Sequence, residues 1–228
     1  MLTPMWVRGV LLLCAVLFAL AGCGTASEPS PASGVDELVI PTPSPDPADF
    51  VAGVDNPWFP LVPGSTRTYD VSDAHGHHTR TVTVVPGPEI AGVATTAQVS
   101  HESGAVVTDW FAQDRDGNVW WFGRAGEWRA GDDGAEAGLA MLAAPRVGDG
   151  YRQAYEPGVV EDNATVVALD ASTTVPAGTY DDVLLTEQRS ALAAGASRDL
   201  SYARGVGLVE EEPVGDGSGT VRLVGVAY

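Results

Sequence analysis

The chain has 228 residues, with 30 acidic and 12 basic side chains, every basic one an arginine, and a formal net charge of −18. So acidic a protein is repelled by nucleic-acid phosphates and by anionic lipid headgroups, which sets nucleic-acid binding aside. Its two cysteines, Cys14 and Cys23, both lie near the N-terminus, so the rest of the chain has no disulfide and no cysteine-based metal site, and its stability has to come from an apolar core.

Arg8 is the only charge ahead of the aliphatic run 10–20. About a dozen apolar residues fall short of the roughly 20 that span a bilayer. A charged start, a short apolar core and small residues at its end describe a secretory signal. The run closes on Leu20-Ala21-Gly22-Cys23. These four residues resemble the lipobox of bacterial lipoproteins. The resemblance implies cleavage before Cys23, thioether-linked diacylglycerol on its sulfur, further acylation of the new N-terminus, and a place on the extracytoplasmic face of the cell membrane. Two or more acyl chains anchor a protein stably where one does not. Residues 1–22 are therefore expected to be a signal peptide. Residues 23–49, which include Pro41-Thr42-Pro43-Ser44-Pro45-Asp46-Pro47, are expected to be the lipidated cysteine and a disordered, polyproline-leaning tether.

From residue 50 to 228 the pattern predicts a single β-rich domain. Asn56-Pro57-Trp58-Phe59-Pro60-Leu61 cannot be helical and offers apolar area, so it is expected to be a lid packed on the core. Strands are predicted over 66–71, 79–85 and 93–100, each β-branched or alternating and bounded by turn residues. Thr79-Arg80-Thr81-Val82-Thr83-Val84 has the period of a half-buried strand. Segments 105–113 and 119–123 flank Asp114-Arg115-Asp116-Gly117-Asn118, a hairpin turn. Pairing Gln113 with Val119 puts Trp110 opposite Phe122. It also places Trp110, Trp120 and Phe122 on one face and Phe111 and Trp121 on the other, so both faces must be covered. Residues 132–144, rich in alanine with acids first and Pro145 after, predict the one helix. Strands resume over 151–155, 162–169, 182–189, 197–203, 206–211 and 220–226.

Asn56-Pro57-Trp58-Phe59-Pro60-Leu61, Asp116-Gly117-Asn118-Val119-Trp120, Val147-Gly148-Asp149 and Gly205-Val206-Gly207-Leu208-Val209 together resemble an uncharacterised family of secreted bacterial β-proteins and lipoproteins. That resemblance implies an architecture and brings no activity. The fold expected is mainly β: a curved antiparallel sheet, half-barrel or barrel, lipocalin-like or lipoprotein-carrier-like, with one short helix.

The chemistry-bearing residues divide into three sets. His75, His77 and His78 offer imidazoles to a metal, with Asp73 or His101 nearby in sequence, but Gly76 and the adjacent His77-His78 suit a solvated hairpin tip where side chains diverge, the better-supported reading. Asp114, Asp116 and Asn118 superficially resemble a calcium loop, but the glycine falls at the wrong loop position and Ala125 stands where a glutamate is needed. Glu156, Glu161 and Asp162 would supply a carboxylate pair in a chain where acids are common. No nucleophile elbow and no His-Glu-x-x-His helix is present.

The aromatic set carries the main functional expectation. Trp110, Trp120, Trp121, Phe122 and Trp128 either build the core or partly line an apolar pocket, with Tyr151 and Arg152 beside them to fix an acidic head. The expected function is a monomeric, non-catalytic, membrane-anchored binding module for an apolar or amphipathic ligand, or for another envelope protein, needing no cofactor. An envelope hydrolase using the carboxylates, or a metal sensor or scavenger using the histidine tip, are the alternatives.

Overall fold

In the segment Thr66–Asp73, Arg67, Tyr69 and Val71 are buried while Thr66, Thr68 and Asp70 are half-exposed, the period-two pattern of a strand with one covered face. The computed structural model describes residues 45–193, 195–215 and 219–228. A short 3-10 turn, Pro47–Asp49, leads into β1 (Phe50–Val51), β2 (Thr66–Asp73), β3 (Gly76–Ile90), β4 (Val93–Glu102) and β5 (Ala105–Asp114). There follow β6 (Val119–Arg124), β7 (Trp128–Arg129), β8 (Glu136–Met141), β9 (Gly150–Glu156) and β10 (Val160–Val175). The last four are β11 (Gly178–Ser190), β12 (Ser197–Ala203), β13 (Gly207–Val214) and β14 (Thr220–Ala227).

All strands but β1 and β7 form one closed antiparallel barrel of twelve. Each pairs with the next in sequence, β6 pairs with β8, and β14 returns to β2 through Val221↔Val71 and Leu223↔Tyr69. Closure leaves the barrel no free edge. Each strand predicted from the sequence is present, several of them longer than expected. Left-handed pairs make the tight turns: Ala91-Gly92 joins β3 to β4, and Ser103-Gly104 joins β4 to β5.

The 132–144 helix is not formed. Gly131, Asp133 and Gly134 all take positive φ, which breaks a helical first turn, and the chain then enters β8. β8 fills the gap between β6 and β9, and Gly138 allows it there: a Cβ on that residue would lie 2.4 Å from the Gln153 carbonyl oxygen. Alanine's helical preference is a fraction of a kcal/mol per residue and yields to the ladder that closes the barrel.

The β5–β6 hairpin keeps the expected register at Gln113↔Val119, Ala112↔Trp120 and Phe111↔Trp121, then bulges, so Trp110 meets Gly123 and not Phe122. The face assignment survives the bulge. Trp120 and Phe122 pack outside the barrel wall with Ile90, Val93 and Ala130, and Trp110 lies against them. Phe50 of β1 covers this outer cluster, edge-on to Trp120 at 6.3 Å and to Phe122 at 5.2 Å. Phe111 and Trp121 face the inner core.

The lid behaves as expected. Trp58 and Leu61 are buried in the inner core, and Val54 bridges Leu61. Asn56, 2 % exposed, ties the lid down. Its Nδ2 donates to the Gly117 and Leu142 carbonyls at 2.9 and 3.1 Å, and its Oδ1 accepts from the Trp58 N–H at 2.9 Å. Pro57 also accepts from Gly205 in the β12–β13 turn. One end of the barrel is thereby closed. The described chain enters at that same end, where Arg115 N–H donates to the Asp49 carbonyl.

Candidate ligand cavity

Inside the barrel lies a cavity of about 840 Å³, within the range usual for small-molecule sites. At the lidded end it is apolar. Phe59 from the lid packs on Phe111 with ring centroids 5.0 Å apart and lies 6.3 Å from Tyr202, while Phe111 stacks on Trp121 at 6.2 Å. Leu61, Leu200 and Leu208 complete this floor. The opposite end opens between the β2–β3 and β4–β5 turns, where Asp73, His75 and Ser103 line it.

Between floor and mouth runs a belt of charge. Inward positions on β3 and β4 put Arg80 opposite Glu102, and Nε of the arginine donates to the carboxylate. His78 Nε2 lies 2.8 Å from the other Glu102 oxygen. Arg80 Nη1 also lies 3.7 Å from Glu211, and Arg198 Nε lies 2.6 Å from Glu211 at an angle too oblique for a hydrogen bond. On the next strands Arg124 Nε donates to Asp109 at 2.8 Å, and its guanidinium sits 5.1 Å above the Trp121 ring.

These pairings set the protonation states. Burial pushes Glu102 upward, but Arg80 and His78 outweigh it and hold the carboxyl below its ordinary value. The bond to Glu102 holds His78 above the usual imidazole value. Burial pushes Asp109 up, against the opposing pull of Arg124. Burial also raises Tyr69 to about 12 and Tyr202 well above the usual phenol value, so both remain neutral donors in neutral solution. Tyr69 donates to the Leu208 carbonyl at 3.1 Å.

Of the residues singled out from the sequence, Trp121 lines the cavity. Trp128 stands behind it, edge-on at 5.2 Å, and is buried. Trp110, Trp120 and Phe122 belong to the outer cluster. Tyr151 is buried in the inner core. Arg152 pairs with Glu136 and stacks over Tyr155 at 4.5 Å.

His75 and His78 line the mouth, but His77 and His78 are successive residues of β3 and point to opposite faces. The His77 side chain is 75 % exposed and that of His78 20 %. Among the described residues, no group of three or more His, Cys, Asp or Glu side chains comes close enough to hold a metal ion. Asp114 spends its oxygens on its own turn, accepting from the Asp116 and Asn118 N–H groups and from Trp120 Nε1. Glu156 and Glu161 stand at the β9–β10 hairpin, where Glu161 accepts from the Gly158 N–H at 3.0 Å. Cys23 lies outside the described residues.

Sequence reading missed the belt, although a signal for it exists. Arg80 is in phase with Val82 and Val84, Arg67 with Tyr69 and Val71, and Arg198 with Leu200 and Tyr202. A charge on the apolar parity of a strand marks an inward-facing polar position.

No protein-family model and no curated protein matches the sequence. Two solved structures resemble the chain. One, a protein from Bacteroides fragilis described as exported and as having a YmcC-like fold, is 14% identical, with a TM-score of 0.48 over 75% of this chain and 99% of its own. The other, described as a lipoprotein from Parabacteroides distasonis, is 14% identical, with a TM-score of 0.43 over 75% of this chain and 98% of its own. A likeness this distant assigns no function.

Proposed function

We propose that the chain is an extracytoplasmic lipoprotein, anchored through Cys23, whose barrel binds an apolar or amphipathic small molecule without catalysis. The supporting observation is the cavity of about 840 Å³ with an aromatic floor of Phe59, Phe111, Trp121 and Tyr202. Covering about 200 Å² of apolar ligand surface there is worth about 5 kcal/mol. Ordering the ligand costs part of that, so burial on the floor alone gives an affinity in about the millimolar range, and tighter binding has to come from the polar belt. The mechanism is passive. The floor supplies burial, the polar belt orients the ligand, and the tether supplies location.

Native mass spectrometry tests the binding half. The core lies within the closed barrel, so the chain from Gly24 onward, made without lipid, is the suitable material. A co-purifying or added amphiphile retained at one per chain supports the reading, and bare protein in the presence of such compounds rejects it. The address is tested separately. Replacing Cys23→Ser should leave an uncleaved leader and no acylated protein, whereas the unaltered chain should partition with membranes.

A further inference from the structure

We infer that the ligand of this cavity carries an uncharged, hydroxyl-rich head, so that the molecule bound is a sugar-headed amphiphile rather than an ionic one. This rests on the reading of the cavity as a binding site and names the class of compound it accepts. The inner wall carries several polar side chains without protein partners among the described residues. Gln98 and Ser100 on β4 and Gln188 on β11 line the cavity, and none of their side chains hydrogen-bonds to another described residue. Gln153 on β9 sits at a bulge against β10, where register slips between Asp162↔Ala154 and Asn163↔Arg152. A bulge commonly re-aims a side chain. Gln153 lines the cavity, is 6 % exposed, and its Oε1 has no hydrogen-bond partner.

The charged groups beside these amides are already engaged. Glu102 holds Arg80 and His78, Glu211 lies against Arg80 and Arg198, and Asp109 holds Arg124. Four acids and four arginines line the cavity, so apart from His75 and His78 at the mouth the wall offers no net charge to an ionic head. An entering carboxylate or ammonium would have to separate an existing partly buried pair, which leaves a charge uncompensated. Arg67 is the exception that has to be weighed. It is buried without a carboxylate among the described residues, but its Nε and Nη2 are committed to the Val206 and Pro60 carbonyls at 2.9 and 2.6 Å. Its Nη1 is buried without a hydrogen-bond partner, while the two bonded nitrogens make the side chain a clamp on the lid.

A wholly apolar ligand fits poorly for the opposite reason. Entering the belt, it would strip water from Gln98, Ser100, Gln188 and the arginine N–H groups and return nothing. Hydroxyls both donate and accept, so they suit a wall that mixes amide, hydroxyl, guanidinium and carboxylate. Such a head lies in the belt, and its tail reaches the floor under the lid.

A fixed-tail series decides the matter, read by calorimetry on the chain from Gly24 onward below the micelle concentration of each compound: octyl glucoside, octanol, octanoate and octyltrimethylammonium. The expected result is that octyl glucoside binds at least tenfold tighter than the other three. Gln98→Leu and Gln188→Leu should each reduce that preference several-fold, by weakening octyl glucoside and sparing or tightening octanol. Octanoate binding tightest would overturn the inference and assign the head site to Arg67. Octyltrimethylammonium binding tightest would overturn it in favour of the belt carboxylates. Octanol equal to octyl glucoside would show that the head is not recognised, with binding itself intact. No binding by any member would remove the ligand-binding reading along with the inference. Should a glutamine variant fail to fold, the unaltered chain's ranking of the four compounds still decides.

Discussion

His78 Nε2 and Glu102 Oε1 lie 2.8 Å apart across neighbouring strands at the mouth of the barrel, and Arg80 holds the second oxygen of the same carboxylate. One carboxylate thus ties together two cations that would otherwise face each other along β3, and the arrangement makes stability depend on pH.

The sign follows from the direction of each shift. His78 is raised, so it binds its proton more tightly in the folded chain, and its contribution is fully present below the ordinary imidazole value of about 6.5. That contribution disappears as pH rises through the raised value. Glu102 is lowered, so its contribution is present above the ordinary carboxylate value of about 4.3 and disappears as pH falls through the lowered one. Both operate together in mildly acidic solution. Thermal unfolding followed by circular dichroism from about pH 5.5 to about pH 8.5 should show the unaltered chain losing stability relative to His78→Gln. Parallel curves for the two proteins would mean that the pair carries no linkage.

A single amide ties down the lid. Asn56 supplies two donors and one acceptor to three backbone groups on different elements, the Trp58 N–H buried and the Gly117 and Leu142 carbonyls half-buried. Asn56→Ala leaves the Gly117 and Leu142 carbonyls and the Trp58 N–H without that partner. At about 1 kcal/mol or more for the buried Trp58 N–H and less for the two half-buried carbonyls, the loss should reach about 2 kcal/mol. Urea denaturation measures it as a lower midpoint. A shift under about 0.5 kcal/mol would show that water replaces the side chain and that the lid is held by packing alone.

Much of this architecture is readable from residue patterning, and what is not has a common cause. Period-two alternation and turn residues are local, so the strands, the Asp114–Asn118 turn and the two-faced β5–β6 hairpin are visible in the sequence. Closure is not local. Whether 132–144 becomes a helix depends on whether a gap between β6 and β9 needs filling, and nothing within those residues records the gap. The aromatic set misleads for a related reason. Trp110, Trp120 and Phe122 are as apolar as any pocket lining, yet β1 covers them from outside. Arg80 and Arg198 were legible only as charges on the wrong parity of their strands, a weak signal one residue at a time.

Trp121 provides a direct report on the cavity. It alone among Trp58, Trp110, Trp120, Trp121 and Trp128 lines the space, whereas Trp120 is buried in the outer cluster with its indole N–H on Asp114. A ligand displacing water from the floor should shift the emission of the unaltered chain to shorter wavelength. Trp121→Phe should abolish that shift, and Trp120→Phe should retain it. A shift that survives in Trp121→Phe would place the ligand elsewhere.

Two glycines separate the claim about closure from a general intolerance of substitution. At Gly138 an added Cβ would meet the Gln153 carbonyl oxygen at 2.4 Å, a backbone atom that cannot move without parting β8 from β9. At Gly225 on β14 the same atom meets nothing within 4 Å. Gly225 also lies outside the positive-φ region, so alanine fits its backbone. Gly138→Ala should cost about 3 kcal/mol or prevent folding, as overpacking against rigid backbone does. Gly225→Ala should stay within about 0.5 kcal/mol of the unaltered chain. Denaturant midpoints for the two variants check both. Equal and small effects would mean that β8 does not approach β9 closely, and with that the barrel would be open on one side and its cavity a groove.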